Sequence, residues 1–151
     1  MLDIAESEAK ALLSGKLRCI NCEPWIPHKV SKFLSTASAG TVDSQGINPG
    51  IIVTLDYSLN PLTQIKHYKF SIFKQRPYGL ERVYQLDVRQ SKKPLRDVHS
   101  KPHEHFGDKR TDGDDVWSLW SYYEALEYFC TRTNISFEPP VKTRDEAFKL
   151  T

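Results

Sequence analysis

Two runs of polar–apolar alternation dominate the middle of the chain and leave little choice of architecture. Across residues 65–74, Tyr68, Phe70 and Ile72 fall on one side, with His67, Lys69 and Ser71 on the other. Across residues 82–90, Tyr84, Leu86 and Val88 alternate with Gln85, Asp87 and Arg89. A period of two sends successive side chains to opposite faces of a strand, so each run reads as a half-buried strand with one wet face. Residues 75–81, with Pro77 and Gly79, read as a loop, and the two runs as an antiparallel hairpin. Ahead of them, the β-branched run 51–57 reads as a further strand, punctuated by Asn60-Pro61.

Helical spacing is confined to the two ends. Ile4, Ala5, Ala9, Leu12 and Leu13 mark a short amphipathic helix stopped at Gly15. Near the other end, Ser121-Tyr122-Tyr123-Glu124 is a capping box, and Tyr122, Ala125, Leu126, Phe129 and Cys130 form the buried stripe behind it. Asn134 ends that helix, and residues 135–137 can add a last strand. Residues 17–22 read as a strand, 35–50 as a Ser/Thr/Gly-rich polar loop in which Thr41-Val42 can begin a strand, and about 142–151 as a loosely held tail. The expectation is a single α+β domain over residues 1–151. It has an antiparallel meander of about four to six strands, with the N-terminal and C-terminal helices packed on one face.

Composition removes several classes of function. No apolar run is long enough to span a membrane, and 11% aromatic residues is too many for a disordered chain. The opening Met1-Leu2-Asp3-Ile4-Ala5-Glu6 has neither the basic nor the apolar region of an export signal, so a cytoplasmic protein is expected. Lys+Arg 21 against Asp+Glu 19 gives only +2, so any electrostatic footprint must come from how the charges are distributed. Cys19 and Cys22 make a Cys-x-x-Cys, but Cys130 stands alone and Pro24 and Pro27 follow at once. The pair reads as two small strand residues. Trp117 and Trp120 read as core packing, and His28 as structural.

The unusual stretch is 92–110. It holds Lys92, Lys93, Arg96, Lys101, Lys109 and Arg110 against Asp97, Glu104 and Asp108, and three histidines, His99, His103 and His105. Alternation puts His103 and His105 on one side of a strand and Phe106 on the other. Imidazoles beside cations can move protons on a phosphodiester while a cation neutralises the phosphorane, with Asp108 orienting a ring. The same His-x-His is also a metal spacing, with Asp108 or His99 as a third ligand, and it is equally what a solvated strand face looks like. No second Cys pair and no assured third ligand are present, so neither a metal nor another cofactor is expected.

The succession His67-Tyr68-Lys69-Phe70, Arg82-Val83-Tyr84, His103-Glu104-His105-Phe106-Gly107-Asp108-Lys109-Arg110, and a Trp/Ser segment opening a final helix resembles the TumE-type toxins of bacterial toxin–antitoxin pairs. The resemblance spans about residues 65–130, and residues 17–61 have no counterpart in it. It implies a growth-inhibiting toxin that acts on RNA or translation and is held inactive by an antitoxin. His103, His105, Asp108 and Arg110 match its most polar motif, and His67 the start of its hairpin. The functional expectation is therefore a toxin-like, metal-independent RNA endonuclease with His103, His105, Asp108 and Arg110 as catalytic residues. His67, Lys69, Arg89, Lys92, Lys93, Lys101 and Lys109 would contact RNA. Expected partners are RNA or a ribonucleoprotein and an antitoxin-like protein, with no membrane. The alternatives are a non-enzymatic phage- or plasmid-borne inhibitor that docks a nucleoprotein, and a metal-bound site at His103 and His105.

Overall fold

A computed structural model describes residues 2–22, 24–31, 33–90 and 101–143. The elements run β1 Leu2–Asp3, α1 Glu6–Leu12, β2 Leu17–Ile20, β3 Ile26–Pro27, β4 Leu34–Val42, β5 Ile51–Leu59, β6 Lys66–Arg76 and β7 Gly79–Arg89. They continue with β8 His103–Phe106, β9 Lys109–Asp112, a 3-10 turn at Asp115–Leu119, α2 Tyr122–Thr133 and β10 Ile135–Glu138. Strands β4 to β9 form an antiparallel meander; β2 and then β10 extend it beyond β4, β3 pairs with β4, and β1 runs parallel to β7. The fold is α+β, with α1 against β7 and β8 and α2 against β6, β7 and β10. No helix among the described residues is long and apolar enough to cross a membrane.

The alternation read from the sequence is the core. Register aligns Val53, Ile72 and Tyr84 in one row, Leu55, Phe70 and Leu86 in the next, and Tyr57, Tyr68 and Val88 in a third. All nine side chains are at most 1% exposed. Burying each large apolar side chain is worth about 1.5–3 kcal/mol, which makes this face the main stabiliser of the sheet. Helix α2 closes it: the Tyr122 and Phe129 rings meet Phe70 edge-on at 5.7 and 5.8 Å. Its capping box is formed as the sequence predicts, with the Ser121 side chain accepting from the Glu124 amide and Glu124 accepting from the Ser121 amide.

Two readings need correction. The polar stretch 35–50 is mostly strand: β4 covers Leu34–Val42, and only the residues after it turn back to β5. Its inward positions are small, Ser35 and Ala37 being fully buried, so propensity read this segment as loop while pairing with β5 holds it extended. The loop between the central strands shrinks to Pro77-Tyr78, because Arg76 already pairs with Gly79, whose φ of +136° suits glycine. Most of the expected loose tail, residues 144–151, lies outside the described residues; just ahead of it Val141 is buried and the Trp25 indole N–H donates to the Lys142 carbonyl at 2.9 Å.

Candidate active site

The opposite face of the meander is built of polar rungs. Register sets Ser58, His67 and Arg89 in one row. Thr36, Asp56, Lys69, Asp87 and His103 form the next, and Ser38, Thr54, Ser71, Gln85 and His105 the third, where Arg110 of β9 adds to the end. A bulge between the pairs Ile72–Tyr84 and Phe73–Arg82 shifts the parity of β7, so Arg82 joins this polar face instead of the core. There its guanidinium grips both oxygens of Asp3 at 2.9 and 3.0 Å and donates to the Gln85 side-chain oxygen at 2.9 Å.

The centre of the face is a histidine–aspartate pair. His67 Nε2 lies 2.6 Å from Asp87 Oδ1, and the two side chains are 28% and 21% exposed. An ionised carboxylate only accepts, so Nε2 carries the proton and Nδ1 is left as the basic atom. Burial raises the Asp87 carboxyl, but the hydrogen bond from His67 and the electrostatic influence of the neighbouring His67, His103 and Lys69 outweigh it and hold the carboxyl below its ordinary value. Lys69 is in register with both Asp56 and Asp87, yet forms no ion pair with a described residue, which leaves its ammonium for an incoming anion. His67 and Lys69 open together onto a cavity of about 300 Å³ with Asp56 and Ser58.

The histidines of β8 take other roles. His103 is 6% exposed and its Nδ1 lies 2.8 Å from the Lys101 carbonyl oxygen; its ring meets that of His105 edge-on at 5.1 Å. The buried Nδ1 of His105 has no hydrogen-bond partner among the described residues. Burial first, and then Arg82, His103 and Arg110, lower its pKa to about 4, so the ring is neutral at pH 7. Between the two rings, Glu104 points to the apolar side, where it accepts from Tyr84, Tyr128 and Arg132.

The structure keeps His103, His105 and Arg110 near one another and sets Asp108 apart from them. Asp108 does not reach a described histidine; its Oδ1 accepts from the Glu6 amide at 3.2 Å and caps α1, whose own N-cap, Ala5, has no side chain able to do so. The preceding Gly107 has φ +55°, and a Cβ there would sit 2.2 Å from the Ile4 carbonyl oxygen. This turn therefore docks the N-terminal segment. Arg110 stands opposite His105 but bonds Asp112 at 3.0 Å, and Lys109 reaches Glu6 at 3.7 Å, away from the polar face. His67, Lys69 and Arg89 do lie together on that face. Lys101 contributes its carbonyl to His103, and Lys92 and Lys93 fall outside the described residues.

Sequence reasoning placed Asp87 on the wet face without assigning it a role, because only the strand register brings it to His67. The remaining sequence readings resolve simply. Among the described residues, no three His, Cys, Asp or Glu side chains are grouped to hold a metal ion. Trp117 and Trp120 stack on each other at 4.9 Å and against Tyr128, and His28 Nδ1 accepts from the amides of Val30 and Ser31. Family models, curated proteins and solved structures offer no match to this chain.

Proposed function

We propose that the protein is a toxin-like endoribonuclease in which His67, held by Asp87, is the general base and Lys69 the cation that meets the phosphate. The observation that carries this reading is the 2.6 Å His67–Asp87 pair beside an ammonium with no ion-pair partner among the described residues. A carboxylate that fixes one ring nitrogen presents the other to a substrate hydroxyl in a set orientation. RNA as the substrate follows from the resemblance to the TumE-type toxins, as does an antitoxin partner. In the reaction, His67 Nδ1 takes the proton of the 2′-hydroxyl and the 2′ oxygen attacks phosphorus. The bond to the 5′ oxygen breaks, and that oxygen takes a proton from water, giving a 2′,3′-cyclic phosphate and a 5′-hydroxyl end. Lys69 stabilises the charge that builds on the phosphorane. His103 and His105 are weaker candidates, the first because it is enclosed, the second because a ring with a pKa of about 4 cannot act as an acid at neutral pH.

Among the described residues, two cations of this face are already paired. Arg82 is paired with Asp3 and Arg110 with Asp112, so affinity for a long phosphate backbone is expected to be modest and weakly salt-dependent. The test is cleavage of total RNA with and without EDTA by wild type, His67→Ala, Asp87→Asn and His105→Ala. His67→Ala is expected to lose about 10²–10⁴ in rate with the fold intact, the usual cost of a missing general base. His105→Ala is expected to remain within a few-fold of wild type. Retained RNA binding without cleavage by the wild type hands the case to the inhibitor reading.

A further inference from the structure

A second cavity of about 320 Å³ lies on the other side of Lys69, sharing Lys69 and Asp56 with the cavity that His67 enters. Its volume falls within the range of small-ligand sites, about 300–1,000 Å³. Three features make it a built pocket. Phe73, 9% exposed, supplies an apolar wall. Ser71 and Gln85, 1% and 8% exposed, are fixed by a chain in which Arg82 donates to Gln85 and Gln85 donates to Ser71. That chain uses Ser71 as an acceptor and leaves its hydroxyl proton free to donate. Asp56, finally, accepts from Thr36 at 2.6 Å through Oδ1 only, leaving Oδ2 to accept from something else.

The pocket thus offers an acceptor, Asp56, beside two donors, Ser71 and Lys69, next to an aromatic ring. We infer that it binds the base of the nucleotide next to the phosphate held by Lys69, and that it selects bases presenting a ring N–H beside a carbonyl, guanine and uracil. Asp56 accepts from the ring N–H, Ser71 donates to the carbonyl, and Phe73 packs on the base. Adenine and cytosine present a bare ring nitrogen where Asp56 needs a donor, and two acceptors then face each other unpaired. The inference rests on the ribonuclease reading only for the neighbouring phosphate; the base preference stands on the pocket itself.

The experiment titrates GMP, UMP, AMP and CMP into the full-length protein and follows amide NMR signals of Ser71, Phe73 and Gln85. The His67→Ala protein is titrated alongside, so that binding in this pocket is read apart from contact with the catalytic histidine. GMP and UMP are expected to shift these signals at concentrations at least about tenfold below AMP and CMP, the discrimination one matched hydrogen-bonded edge provides. Asp56→Asn and, independently, Ser71→Ala are expected to reduce that ratio, each checked for folding by its amide spectrum. Equal response to all four nucleotides, shifts confined to other surfaces, or no shift at millimolar nucleotide overturns the inference. Selective binding without any RNA cleavage leaves the inference standing and removes the ribonuclease reading. Cleavage at every base alike does the opposite.

Discussion

Replacing Glu104 by alanine tests how this sheet holds a charge inside its apolar layer. The Glu104 residue is 4% exposed, and its carboxylate accepts from the Tyr84 hydroxyl at 2.7 Å, the Tyr128 hydroxyl at 3.1 Å and Arg132 at 2.8 Å. Tyr84 is fully buried, so after the substitution its hydroxyl has neither acceptor nor water; a hydrogen bond to a charged group of this kind is worth about 1.5–3 kcal/mol. Tyr128 is only partly buried and its bond longer, and Arg132, 43% exposed in its side chain, can turn to solvent, so both contribute less. The expected loss for Glu104→Ala is about 3–5 kcal/mol, a fifth or more of the roughly 5–15 kcal/mol stability of an ordinary domain. Tyr84→Phe is expected to cost less than Glu104→Ala, and Tyr128→Phe least. The assay is urea unfolding, read as a shift in midpoint at unchanged slope. A cost below about 1 kcal/mol for Glu104→Ala, or equal costs for the two tyrosine variants, would falsify this account of the network.

Leu86→Ala empties a position with no exposed area at the centre of the sheet and is expected to cost about 2–5 kcal/mol in the same urea assay. Asp108→Ala removes the cap that α1 borrows from the β8–β9 turn; it is expected to cost about 0.5–2 kcal/mol and to leave RNA cleavage unchanged, so a loss of activity with a stable fold returns Asp108 to the mechanism. The His105 pKa is lowered on folding from 6.5 to about 4, so the unfolded chain binds the extra proton between those values. Stability is therefore full above pH 6.5 and declines as the pH falls toward about 4. Thermal unfolding followed over that window is expected to show a shallower decline in His105→Gln, and an unchanged slope counts against a neutral buried ring.

The apolar half of the fold was legible because period-two alternation reports one fact directly, which residues share a face. Tyr68, Phe70, Ile72, Leu86 and Val88 needed nothing more. Ser35, Ala37 and Ala39 carry no such contrast, and β4 was lost to a loop for that reason. Arg82 was beyond reach for a different reason: its side of the sheet is set by a bulge, which no local pattern announces. The site suffered most from this. Asp87 and His67 are far apart in sequence and meet only through register, whereas the conspicuous Gly107-Asp108 turn owes its composition to the N-terminal segment that lies against it.

The seam between β2 and β10 bears on how the chain reaches this state. Each meander strand finds its partner among neighbours in sequence, but β2 touches β4 through few pairs and depends on β10, which arrives from the far end of the described chain. Closing so long a loop comes late, because its entropy is lost before the contacts are gained. The meander can therefore assemble while the seam is still open, and the seam, resting on short strands, parts again more readily than the central strands. Hydrogen exchange at Arg18 and Ile20 would then run ahead of exchange at Phe70 and Leu86.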